Sequence, residues 1–143
     1  MFLLLAANGA AVGAELRGTG PHPWRGMAPG SRKDLGFFST LSHNPTSIVL
    51  CESAIDAISC FALDPCRLRL STAGARPHPR WLPAILQRPL PVLCGFDSDP
   101  AGDTMAHTLI ALHPTVQRLR PALHDWNISL LPAVPGRSKE ICG

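Results

Sequence analysis

Glu52, Asp56, Asp97 and Asp99 are the residues whose types and spacing can do chemistry in this sequence. Magnesium takes hard oxygen ligands, keeps several waters and uses only one or two carboxylates, and manganese accepts the same set. Asp97 and Asp99 can therefore turn towards one cation if Ser98 between them points away. Such an ion offsets charge that builds on a phosphate oxygen during transfer. Glu52 then serves as a third ligand or moves a proton to or from a hydroxyl, which requires a pKa raised by burial near other carboxylates. Asp56, four residues after Glu52, lies one helical turn along the same side. Each acid also has a plainer use. Asp99 and Asp103 suit the first turn of a helix, where negative charge is favourable, and Asp56 can be a solvated helix position. Acids gathered on one rim without a cation repel one another, which favours the metal reading.

The elements that must position them follow from the pattern. Ile48-Val-Leu-Cys51 is a short continuous apolar run, as in a strand buried on both faces, and places Glu52 at its carboxyl end. Ile55, Ile58 and Phe61 give helical periodicity over Ser53 to Ala62. Arg67 to Leu70 alternates as a strand and ends in Ser71-Thr-Ala-Gly74, whose amides can meet a phosphate or simply form a turn. A helix near Arg80 to Gln87 precedes a second buried strand, Pro91 to Phe96, which puts Asp97 and Asp99 at its end. Proline at 100 with Asp99 as cap starts a helix to about Leu112. Thr115 to Arg120 alternates as a fourth strand, and Asn127 to Leu131 forms a short helix. Strands alternating with helices imply an α/β fold with a Rossmann-like parallel sheet of about four strands, whose functional groups collect at the strands' carboxyl ends.

The first part of the chain differs. Asn8-Gly9 between apolar segments predicts a type I′ hairpin, and Leu35 to Leu41 reads as a strand, so residues 1–45 form a β-rich extension. Residues 46–132 form the α/β domain, and 133–143 are expected to fray. Length and a 45% apolar, 16% charged composition bound the chain to about one globular domain. Eleven of thirteen basic residues are Arg, which suits bidentate phosphate contacts but equally follows from a GC-rich genome. The five cysteines lack C-x-x-C spacing and the six histidines lack ligand spacing, so neither a zinc site nor a disulfide framework is indicated. Met1 to Ala7 lacks a basic flank and breaks at Asn8-Gly9, so a cytoplasmic protein with no membrane partner is expected. Trp24, Trp81 and Trp126 are expected in the core, with base stacking as the alternative.

Val49-Leu-Cys-Glu-Ser-Ala-Ile-Asp56 followed by Gly95-Phe-Asp-Ser-Asp-Pro-Ala-Gly102 resembles the two signature motifs of the Toprim superfamily, in its primase-like, plasmid and mobile-element branch. That superfamily includes bacterial primases, topoisomerases, old-type nucleases and recombination mediators. His124-Asp-Trp-Asn127 is similar to its Lys-Asp-x-Asn segment, which implies Asp125 as a further metal-site acid, with His124 replacing a Lys that contacts phosphate or balances charge. Arg17-Gly-Thr, Trp24-Arg-Gly and Gly30-Ser-Arg-Lys before Gly36-Phe resemble a β-rich segment found before such domains, often in longer proteins. In that context Arg17, Arg25, Arg32 and Lys33 would track a nucleic-acid backbone, or else remain solvated loop charges.

The resemblance implies Mg²⁺-dependent nucleotidyl transfer on single-stranded or duplex DNA with nucleotides, beside a helicase or relaxase. A nuclease using the same ions and a module that binds nucleic acid or a partner without catalysis are the rivals. The chain contains no tyrosine, so the tyrosine-dependent strand passage of topoisomerases is excluded for it alone.

Overall fold

The computed structural model describes residues 1–22 and 24–130, so the predicted tail 133–143 lies outside the described residues. Two sheets form. The first is antiparallel, in the order β1 (Phe2–Leu5), β2 (Ala11–Arg17), β3 (Arg25–Met27). The second is parallel, in the order β5 (Leu68–Ser71), β4 (Ile48–Cys51), β6 (Val92–Cys94), β7 (Gln117–Arg118). Helices α1 (Ala54–Leu63), α2 (Leu82–Leu86) and α3 (Pro100–Leu112) make the crossovers, and α4 (Trp126–Ser129) follows β7.

Alternation along β4 explains why the parallel sheet is covered on both faces. Ile48 and Leu50 join Leu70, Leu82, Ile85, Val92, Phe96 and Leu109 in one core layer under α2 and α3. Val49 and Cys51 face the other way, with Ala57, Cys60 and Trp126 under α1 and α4. All four β4 residues are fully buried, so an apolar run without polar alternation is what the strand requires. Trp126 satisfies its indole by donating from Nε1 to the Gly95 carbonyl at 2.6 Å. The strand order places β4 beside β6, and their following connections leave in opposite directions, to β5 and to β7. That junction is the topological switch point, where an open α/β sheet leaves a crevice beyond its carboxyl ends.

Several expectations are corrected. The 35–41 segment forms no strand; it makes single bridges, Leu5 with Phe37 and Ser39 with Leu70, and so straps the first sheet to the edge of the second. Phe37 packs on Trp81 and Phe38 on Phe2, at centroid distances of 4.7 and 5.5 Å, so the strap divides its aromatic residues between two clusters. The hairpin turn is not type I′, because only Gly9 has positive φ (81°). Gly9 N–H donates to the Ala6 carbonyl at 2.9 Å, giving a three-residue loop whose glycine forms the bulge. Trp24 is 56% exposed, unlike the buried Trp81 and Trp126. The fourth strand shrinks to two residues because its partner β6 offers only Leu93 and Cys94 for pairing.

Candidate active site at the strand ends

Glu52 leaves β4 as the chain turns into α1. Ser53 caps that helix: its Oγ accepts from Asp56 N–H at 3.3 Å and donates to Asp56 Oδ2 at 2.6 Å. This Ser-x-x-acid capping arrangement pins Asp56 in a buried position instead of on a solvated face. Burial raises the pKa of Asp56, and the charge of Asp125 adds to the rise, while the Ser53 hydrogen bond and Arg17 oppose it.

Asp97 lies three residues beyond β6, and the two strand ends are joined by Asp97 N–H donating to Glu52 Oε1 at 3.1 Å. Asp97 Oδ1 is buried without any hydrogen-bond partner. Its carboxyl is pushed up to about 7, first by burial and then by the charges of Asp56, Glu52, Asp125 and Asp99. Burial likewise raises Glu52, with Asp56 and Asp99 adding to it and the Asp97 N–H and Arg25 opposing it. Asp99 divides its oxygens: Oδ1 caps α3 by accepting from Gly102 N–H at 2.6 Å, and Oδ2 lies 3.5 Å from His124 Nε2. Asp125 caps α4 through Oδ1 on Ile128 N–H and presents Oδ2 3.7 Å from His124 Nδ1. His124 thus stands between two of the acids.

The acids named from sequence therefore meet at one rim, but not as a closed cage. Among the described residues no three Asp, Glu, His or Cys side chains converge tightly enough to enclose an ion by themselves. A magnesium ion takes one or two protein carboxylates and keeps the rest of its shell as water. The buried oxygen of Asp97 is the group with unused capacity, and Glu52 has committed only Oε1. The donor set, all hard oxygen, fits such an ion.

Across the rim lies a cleft of about 360 Å³, lined by Glu52, Asp56 and Asp97 on one side and by Arg17 and Arg25 of the first sheet on the other. Lys33 Nζ donates to the Ala73 carbonyl at 3.2 Å, beside the Ala73-Gly74-Ala75 turn that also lines the cleft. All three turn residues have positive φ (53°, 115° and 48°), a conformation strained for the two alanines. Arg32 is not among the lining residues; it pairs with Asp34 at 3.4 Å on the surface.

Sequence reasoning missed Glu15. This buried β2 acid accepts from Ala54 N–H, at the start of α1, with Oε2 at 3.0 Å, and from the Ser71 hydroxyl with Oε1. It fixes the first sheet against the strand ends and so sets the cleft. Nothing but an acid in an alternating strand marks it in the sequence. Glu15→Ala should cost about 2–3 kcal/mol by leaving buried donors unpaired, read as a lower urea midpoint that Glu15→Gln partly restores.

The raised carboxyls also fix a pH dependence. An acid with a folded-state pKa above its unfolded value keeps the folded state proton-rich, so stability declines as pH rises between the two values. For Asp97 that window runs from the ordinary carboxylate range near 4 to about 7. In chelator, the protein should therefore lose stability between pH 5 and pH 8. Asp97→Asn should shrink that loss, as urea melts at the two pH values will read.

The profile of one protein family, described as Toprim-like, matches residues 49–130. Among solved structures, the primase fragment of the bacteriophage T7 primase-helicase superposes with a TM-score of 0.68 at 18% identity, over 90% of this chain and 56% of that one. A chain of the complex between bacteriophage T7 lagging-strand DNA polymerase and primase domains bound to an RNA/DNA hybrid and dTTP superposes with a TM-score of 0.66 at 22% identity, over 91% of this chain and 69% of that one. At these identities the likeness is one of fold, and this chain spans little more than half of the T7 primase fragment. No curated protein matches. With the family profile covering more than half its length, and with the strand order and motif positions described above, the chain belongs to the Toprim-like family.

Proposed function

We propose that this chain is a primase-like nucleotidyl-transfer module that uses Mg²⁺, or Mn²⁺, at the ends of β4 and β6. The observation that carries this reading is the unpartnered, buried Asp97 oxygen, beside Glu52 and facing Arg17 and Arg25 across the cleft. Asp97 would hold the ion, with Glu52 as a further ligand or as the proton acceptor, and with Asp56, Asp99 and Asp125 supplying the surrounding negative field. When bound, the ion neutralises charge on the transferred phosphate.

The chain's own residues do the rest. Burial raises the pKa of Glu52, which makes it a better proton acceptor for an attacking hydroxyl than an ordinary carboxylate. Arg17 and Arg25 hold phosphate oxygens of the substrate from the opposite wall, and Lys33 supports the Ala73–Ala75 turn that lines the cleft beside them. His124 stands between Asp99 and Asp125 on the outer side of the rim and balances their charge whenever it carries a proton. The strained turn at residues 73–75 keeps the wall between Lys33 and Glu52 open, and Gly74 N–H donates to the Glu52 carbonyl at 2.7 Å. Substrates of this reading are a DNA template and nucleotides, with a helicase or relaxase as partner.

The test is incubation with single-stranded template, nucleotides and Mg²⁺, followed by analysis of both synthesis and cleavage. Primer extension that Glu52→Gln removes supports the reading. Nicked DNA without synthesis replaces it by a nuclease, and neither product with retained DNA binding replaces it by a passive binding module.

A further inference from the structure

Arg118 of β7 reaches the back of the site. Its Nη2 donates to the Asp97 carbonyl at 2.8 Å and to Asp103 Oδ1 at 2.9 Å. Its Nη1 lies 2.7 Å from the Phe96 carbonyl, 3.1 Å from that of Cys94 and 3.0 Å from that of Leu119. One largely buried guanidinium, with 17% of its side chain exposed, thus gathers the end of β6, the first turn of α3 and the strand that carries it.

The consequence for Asp97 is specific. Its N–H is held by Glu52 Oε1, its C=O by Arg118, and the next N–H, of Ser98, by the His124 carbonyl at 2.8 Å. Both backbone polar groups of the residue and the N–H that follows it are fixed, while Oδ1 of its side chain has no partner. That is the arrangement expected of a ligand whose orientation is set before the ion arrives. Of these three restraints, only Arg118 brings a positive charge.

We propose that Arg118 is a positioning residue: its guanidinium, anchored by Asp103, holds the Asp97 peptide so that the carboxylate is oriented towards a divalent cation. This rests on the metal reading of the site given above. Arg118 touches neither ion nor substrate in this scheme. It acts through the Asp97 peptide, and a Lys at this position, with a compact ammonium, cannot reproduce a planar fork across several carbonyls.

Direct Mn²⁺ titration of the full chain, followed by electron paramagnetic resonance, separates the possibilities. Arg118→Met should weaken Mn²⁺ binding by about 10-fold or more, the range seen when groups supporting a metal ligand are removed. Arg118→Lys should fall between it and the parent. Arg120→Ala, which also loses a partner of Asp103 but touches no carbonyl of the site, should bind like the parent. If the Met variant does not fold, the Lys variant decides. A lower melting temperature in the Arg118 variants with unchanged Mn²⁺ affinity would overturn the proposal and leave Arg118 a structural residue. Asp97→Asn is the control for the underlying reading: unchanged binding there removes the metal site itself, and the role of Arg118 with it.

Discussion

Asp97→Asn is expected to lower Mg²⁺-dependent nucleotidyl transfer by about 10²–10³-fold, the scale of losing one electrostatic contact to developing charge. The substitution keeps the shape of the side chain and its backbone contacts, so the fold has no reason to suffer. It even removes a carboxyl that the folded state holds with difficulty at neutral pH, because burial and the charges of Asp56, Glu52 and Asp125 push it up to about 7. The metal-free variant should therefore be at least as stable as the parent at pH 8. Loss of activity with stability retained or gained separates a catalytic carboxylate from a structural one. Rate assays at several Mg²⁺ concentrations, paired with urea melts in chelator, read both.

Gly102→Ala should be damaging for a different reason. Gly102 is buried in the first turn of α3, and a Cβ there would lie 2.4 Å from the Asp97 carbonyl oxygen and 2.9 Å from Glu52 Oε1. On an open helix, Ala is favoured over Gly by about 1 kcal/mol. Here the atom that must yield is a backbone carbonyl held by Arg118, not the end of a flexible side chain. Overpacking of this kind costs about 1–3 kcal/mol, so the clash outweighs the propensity gain. More consequential is that relief of the clash displaces Asp97 and Glu52 together. A shift near 1 Å in a reacting constellation costs about 10²-fold in rate. The same change at Gly20, where nothing lies within 4 Å, should leave activity unaltered.

The centre of the parallel sheet was legible because β4 and β6 each lie within an unbroken apolar run, and Glu52 and Asp97 follow those runs directly. Asp99 as the cap of α3 was legible from Asp-Pro, since a short side chain with an oxygen acceptor before proline is a strong helix start. The 35–41 strap was not, because adjacent apolar residues in a short segment look the same whether the segment pairs along a strand or divides its side chains between two clusters. Phe37 and Phe38 do the latter. Arg69 illustrates a second limit. It sits in an alternating strand yet is fully buried, with Nη2 on the Cys60 carbonyl at 3.2 Å and Nε on Cys60 Sγ at 3.4 Å, under the last turn of α1. Glu15 and Arg118 share that limit, since their partners come from elements distant in sequence and no local pattern encodes them. For the basic residues expected along a nucleic-acid backbone, proximity in sequence to Gly-rich loops did not separate Arg17 and Arg25, which line the cleft, from Arg32, which pairs with Asp34.

The claim beneath all of this is that separate strand ends present their carboxylates to one divalent ion. Anomalous diffraction from crystals soaked in Mn²⁺ tests it directly. A single strong peak against Asp97 Oδ1 on the Glu52 side is the expected result. A saturated soak that leaves that position empty, or places manganese only at acids away from the β4 and β6 ends, would contradict it.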